Sequence, residues 1–154
     1  MNQEIIMLTK KGLKELRKRT TWLEREHNRL IRELHDIEKG HSREKIIELA
    51  DINARLDVNR IELQNANSIL RHAKLLPHHA NPRYVQLGCT IEIKDNDGSL
   101  LQYQIVDPHE ANPLQGRISY LSPLGRAMLG RRINDIVAQT FGKRFHAYQH
   151  IKIK

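Results

Sequence analysis

Leu13 to Ile37 reads LKELRKRTTWLEREHNRLIRELHDI, and its core-type positions return at alternating spacings of three and four. Leu13, Leu16, Thr20, Leu23, His27, Leu30, Leu34 and Ile37 trace one heptad seam along a helix. A second seam runs through Leu49, Ile52, Leu56, Asn59, Leu63, Ala66, Leu70 and Ala73, with leucine at every seventh position from 49 to 70. Between them stands Lys39-Gly40-His41-Ser42. Gly40 suits the left-handed conformation that ends a helix, and Ser42 suits the cap that starts the next. So short a connection predicts an antiparallel hairpin within one chain, with dimerisation through the same seams as the competing arrangement. The 24 steps from position 13 to position 37 make a rod of about 36 Å. Polar Thr20, His27 and Asn59 interrupt the seams and predict a rod of modest stability.

At 154 residues the chain has room for two small parts. With 26 Lys plus Arg against 18 Asp plus Glu, its formal charge is +8, which suits nucleic acid or an acidic protein surface as partner. No apolar run approaches the ~20 residues that cross a bilayer, and Met1 to Thr9 lacks the pattern of a signal peptide. The expected address is the cytoplasm, with no membrane partner. Cys89 is the one cysteine, so an intrachain disulfide and a cysteine-built zinc site are excluded.

The composition changes at Leu76-Pro77-His78-His79-Ala80-Asn81-Pro82, where two prolines bracket a segment that cannot extend a helix. This predicts a hairpin over 1–76 with its tip near 39–45, a linker over 77–83 and a second domain over 84–154. In that domain Ile91 and Ile93, then Leu101, Tyr103 and Ile105, alternate with polar residues around Asp95-Asn96-Asp97-Gly98, a hairpin-turn signal. Further strands are expected over 117–121, 136–141 and 145–153, the last two joined at Gly142-Lys143. Ser122 to Leu129 reads as a short helix capped by Ser122 with Pro123 at its first position. The expected class is α+β: a two-helix hairpin followed by a small, mostly antiparallel β domain with one short helix.

Several motifs resemble the Gre family of bacterial transcript-cleavage and elongation factors, and the likeness extends over nearly the whole chain. Met7-Leu8-Thr9-Lys10-Lys11-Gly12 with Leu16 is similar to the family's opening of the first helix. Leu87-Gly88-Cys89-Thr90-Ile91-Glu92 resembles a first strand, and Tyr103-Gln104-Ile105-Val106 with His109-Glu110-Ala111 resembles the next strand and loop. The most specific stretch is Ile118 to Gly130, with its Ile-Ser, Ser-Pro, Arg and Gly pattern. Asp107 and Asn134 stand where members commonly have Gly, and Asn tolerates the left-handed conformation better than most residues. The resemblance implies an FKBP-like second domain that grips the rim of the secondary channel of RNA polymerase through Ser122, Pro123, Arg126 and Gly130. It also implies a hairpin tip directed at the polymerase active site.

Members that stimulate RNA cleavage carry an Asp and a Glu in a Gly-Asp-x-x-Glu-Asn tip, which help hold a polymerase Mg²⁺ and its attacking water. Hard carboxylate oxygens suit Mg²⁺. Here the stretch is Gly40-His41-Ser42-Arg43-Glu44-Lys45. Glu44 matches and is the candidate ligand to a shared Mg²⁺, but His41 replaces the Asp, and Arg43 and Lys45 oppose a second cation. Asp36, Glu38, Glu48 and Asp51 are the other acids near the tip, with spacings that equally suit solvated helix faces. From Lys10 to Arg19 stand six bases and one acid, and from Asp36 to Asp51 five acids and three bases, so the acidic end is the tip.

The expected role is thus a monomeric accessory factor, without catalysis or cofactor of its own, that meets nucleic acid through the elongation complex. A full cleavage factor using Glu44 and another tip acid is the alternative. A peptidyl-prolyl isomerase and a direct nucleic-acid binder are the rivals from other classes. His78-His79 lacks a fixed third ligand and carries no metal expectation.

Overall fold

The computed structural model describes residues 5–39, 45–77, 82–141 and 144–154. It is α+β, as expected. The chain divides into two compact units, one of Met1–Ile5 with Lys11–Ala73 and one of Ile6–Lys10 with Lys74–Lys154. The second unit thus gains a short N-terminal segment that the sequence reading had assigned to the hairpin.

The first unit is the helical pair, α1 over Lys10–Lys39 and α2 over Lys45–His72. Both seams are used, but unequally. On α2 the buried residues are Ile52, Asn59 and Ala66, one heptad apart, whereas the leucine column 49, 56, 63 and 70 is half-buried. A lone pair of helices covers one line of contact fully and leaves the flanking column open to water.

The polar seam residues are built into this contact. The Asn59 amide donates to the Leu23 carbonyl at 3.2 Å, so its oxygen is left to accept from His27 Nδ1 at 3.0 Å. Thr20 donates to the Leu16 carbonyl one turn back at 3.0 Å. A polar pair that is satisfied at one register alone specifies that register. Exposed ion pairs Arg19–Glu62 and Arg55–Glu33, both at 3.1 Å, tie the same two helices.

In the second unit, β1 (Ile6–Leu8) pairs with β2 (Ala73–Leu75). The main sheet contains β3 (Thr90–Lys94), β4 (Leu100–Val106), β5 (Arg117–Ser119), β6 (Ile136–Phe141) and β7 (Arg144–Ile153) in the order β5-β4-β3-β7-β6. β3 and β4 form the hairpin expected at Asp95–Gly98, where Gly98 has φ 84°. β4 and β5 are parallel, bridged by two 3₁₀ turns over Pro108–Glu110 and Pro113–Gln115. Helix α3 (Pro123–Met128) lies against β5 and β6. The core collects Ile91, Ile93, Ile105, Ile118, Val137 and Tyr148 from the strands, and Val85 and Met128 from outside them. Cys89 is free and buried, as expected of a small side chain.

Candidate functional site

The Ile118–Gly130 segment is built around Ser122. Its backbone is extended (φ −64°, ψ 156°), and its hydroxyl accepts from Gly125 N at 3.0 Å while donating to the Ser119 carbonyl at 2.7 Å. One side chain therefore caps α3 and fastens it to the end of β5. Pro123 occupies the first turn, where no amide hydrogen is needed. Gly125 is buried, and a Cβ there would lie 2.1 Å from the Ser119 carbonyl oxygen. Close seating of α3 on β5 requires glycine at this position. Gly130 has φ 77° and donates to the Val85 carbonyl at 2.8 Å, while Val85 donates back to Arg131 at 2.7 Å.

These constraints leave Pro123, Arg126 and Gly130 exposed and Ser122 half-buried, so the four candidate docking residues come together along one short helix and its ends. Residues that the sequence reading passed over join the same segments. Leu121 (47% exposed), Ile133 (51%) and Tyr84 (50%) add apolar surface, and Arg83, Arg131 and Arg132 add charge. The available signal was the Arg131-Arg132-Ile133 run just outside a capped helix. Arg131 also donates to the Ala127 carbonyl at 3.2 Å, which satisfies the end of α3. Asn134 takes the left-handed conformation (φ 69°), and Asp135 holds the turn by accepting from Arg132 N at 2.8 Å. The segments around α3 thus carry exposed cationic and apolar side chains.

The loop before β5 shows why Asp107 stands where glycine is common. Its backbone is extended (φ −63°), which any residue adopts, and its carboxylate accepts from His109 N at 3.0 Å and pairs with His109 Nδ1 at 2.7 Å. The neighbouring Glu110 is buried. It accepts from Thr9 N at 3.0 Å and from the Thr9 hydroxyl, and lies 3.8 Å from Arg117. This carboxylate is a structural clasp between segments 101 residues apart.

At the other unit's tip, Gly40, His41, Ser42 and Glu44 lie outside the described residues, as do His78 and His79 of the linker. Of the flanking acids, Asp36 and Glu38 end α1 and Glu48 lies in the first turn of α2, all exposed. Asp36 and Glu48 line one open hollow of about 530 Å³, opposed there by Arg29, Arg32 and Lys45. Glu38 is not in that lining, and its backbone carbonyl accepts from Lys45 Nζ at 2.5 Å. Among the described residues no three His, Cys, Asp or Glu side chains assemble as a metal site. The described acids therefore do not by themselves fit a resident Mg²⁺. Ile46 and Ile47, 78% and 75% exposed, were also missed. They precede the first seam position and, being neighbours on a helix, point in different directions.

Comparison with known proteins places this architecture in a family. A family model described as transcription elongation factor, GreA/GreB, C-term matches residues 80–154. Transcription elongation factor GreA of Thermomicrobium roseum is 34% identical over 145 residues, covering 89% of each chain. That of Thermosipho melanesiensis is 30% identical over 163 aligned positions, covering 100% of this chain and 99% of its own. Other GreA relatives match over part of their length; the chain spans 42% of the Novosphingobium aromaticivorans protein at 40% identity. Among solved structures, GreA factor homolog 1 of Thermus thermophilus is 23% identical, with 98% of this chain and 99% of that chain covered and a TM-score of 0.46. The chain belongs to the GreA/GreB family of transcription elongation factors.

Proposed function

We propose that a single copy of this chain acts as an elongation regulator at the secondary channel of RNA polymerase, its β domain gripping the rim and its hairpin tip directed toward the active site. It stimulates transcript cleavage weakly or not at all. The observation that carries the docking half is the exposed Pro123–Arg126 face, held by the Ser122 cap and the buried Gly125 and extended by the arginines and apolar residues beside it. The family resemblance supplies the partner. The tip half rests on sequence, since His41 offers an imidazole where a cleavage factor offers a carboxylate, with Arg43 and Lys45 adding positive charge.

Asp36 and Glu48, which line one hollow, favour a second reading in which they assist Glu44 in cleavage. Arg29, Arg32 and Lys45 in the same lining oppose it. For the isomerase rival, a hollow of the β domain lined by Leu76, Leu87, Cys89 and Gln104 among others offers no aromatic side chain.

The deciding experiment adds the full chain to backtracked elongation complexes and scores polymerase binding and RNA cleavage separately. Binding without rapid cleavage is expected, together with competition against a cleavage-active relative. Binding with rapid cleavage transfers the case to the second reading, and absence of binding overturns both.

A further inference from the structure

The hairpin carries a patch that neither its seam nor its tip explains. Trp22, Val58 and Ile61 are 58%, 60% and 58% exposed. Trp22, Ala54 and Val58 line a groove of about 350 Å³ whose charged rim includes Glu26, Arg55 and Glu62. Single exposed apolar residues are ordinary, but a tryptophan clustered with aliphatic residues across two helices marks a contact surface.

The charges around the groove follow one rule. Both helices carry Arg-x-x-apolar-x-x-x-Glu: Arg19, Trp22 and Glu26 on α1, and Arg55, Val58 and Glu62 on α2. Spacings of three and four put each trio on one helix face. Because the helices are antiparallel, Arg19 meets Glu62 at 3.1 Å at one end of the groove. At the other end Glu26 faces Arg55. The Glu26 carboxyl is held below its ordinary value, chiefly by a hydrogen bond from Arg29 and to a smaller degree by the charge of Arg55. The arginines therefore lie on one diagonal, the glutamates on the other, and Trp22 and Val58 in the middle.

We propose that this face is a self-association surface on which a second copy of this chain docks, antiparallel and related by a two-fold axis. An axis lying in the face and crossing the rod brings Arg19 over Glu26 of the second copy and Arg55 over Glu62 of the second copy. Trp22 then meets Trp22, and Val58 meets Val58. An isologous interface needs a surface complementary to itself, and charge that reverses along each helix meets that need. Nucleic acid fits less well, because the four corner charges cancel on a chain whose net charge is +8. Two hairpin flanks bury less than the ~1,200 Å² of a stable interface, so the dimer is weak and forms on the order of tens of micromolar or above.

Trp22 is the sole tryptophan, so its emission reports on this face directly. The test is a dilution series of the full chain, followed by sedimentation velocity and tryptophan emission. The expected result is a concentration-dependent rise in sedimentation coefficient with a coincident blue shift. Two variants give the sharper arm, an acidic face (Arg19→Glu with Arg55→Glu) and a basic face (Glu26→Arg with Glu62→Arg). Each alone remains monomeric, and their equimolar mixture associates at least tenfold more tightly than either. Trp22→Ser, a change at an exposed site that leaves helix content intact, abolishes association of the otherwise native chain. Constant emission and a single monomeric species across the series overturn the proposal. So does Trp22→Ser associating as strongly as the native chain, or a mixture that stays monomeric.

Discussion

Replacing Asn59 by alanine tests whether the buried polar pair holds the hairpin in register. Asn59 is 6% exposed and makes two hydrogen bonds across the helices, to the Leu23 carbonyl at 3.2 Å and with His27 Nδ1 at 3.0 Å. Two such bonds are worth about 1 kcal/mol each, and the shortened side chain also leaves a void, so Asn59→Ala is expected to cost about 2–3 kcal/mol. For a unit of this size that lowers the melting temperature of the helix signal by roughly 10–20 °C. His27→Leu is expected to cost about 1–3 kcal/mol, because it leaves the Asn59 oxygen buried without its donor. The double change His27→Leu with Asn59→Leu removes both polar groups together and recovers most of the loss, so the two sites couple by at least 1 kcal/mol. Its cost lies in specificity: with one register no longer favoured, the variant forms larger species in sedimentation. Denaturation of the full chain, followed by far-UV circular dichroism for the native protein, Asn59→Ala, His27→Leu, Asn59→Leu and the double variant, measures each term and closes the cycle of the two leucine changes. Additive single-site losses, or an Asn59→Ala variant as stable as the native chain, refute the reasoning.

Four further outcomes follow from the β domain. Gly125→Ala places a methyl group where 2.1 Å separates it from the Ser119 carbonyl oxygen and crowds the Ser122 cap. It is expected to destabilise this domain by about 2–4 kcal/mol in urea denaturation. Gly130→Ala, with open space around the site but φ 77°, costs about 1 kcal/mol in the same assay. Glu110→Ala removes the acceptor of Thr9 and the anion beside Arg117, and is expected to cost about 3 kcal/mol or more by the same measure. Burial raises the Tyr148 hydroxyl above its ordinary value of 10.0, with Asp95 and Tyr103 contributing. The unfolded chain then releases that proton first, so this domain loses stability as pH rises above about 10. Tyr148→Phe removes that part of the alkaline loss, as read by melting temperature against pH.

Much of the architecture was legible because it is written in short-range pattern. Heptad spacing over 13–37 and 49–70 needs no knowledge of distant residues to declare two helices, though the seam's last position, Ala73, proves to start β2, and the short connection at 39–42 predicts an antiparallel pair. Ser122 followed by Pro123 announces a helix start, and Asp95–Gly98 a strand turn, for equally local reasons. Asn134 was accepted as a stand-in for glycine and has the left-handed backbone to match. Ser122, Pro123, Arg126 and Gly130, which the family resemblance singles out, lie on that capped helix or at its ends.

What escaped depends on partners far away in the chain. The period alone cannot tell which column of a seam lies deepest; packing put Ile52, Asn59 and Ala66 inside and left the leucines at the flank. It equally hides that His27 and Asn59 satisfy one another 32 residues apart, which turns two apparent interruptions into a register lock. Nothing local to Glu110 announces that Thr9 meets it from 101 positions away. The parallel pairing of β4 with β5, and the bonding of Val85 to Gly130 and Arg131, likewise arise from chain return. A residue's neighbours at three and four positions set its helix or strand, and so the sequence alone determined a hairpin, a β domain and a short capped helix. Burial and hydrogen-bond satisfaction are properties of the whole packed unit, and so only the tertiary structure decided which of those residues lock, clasp or remain exposed.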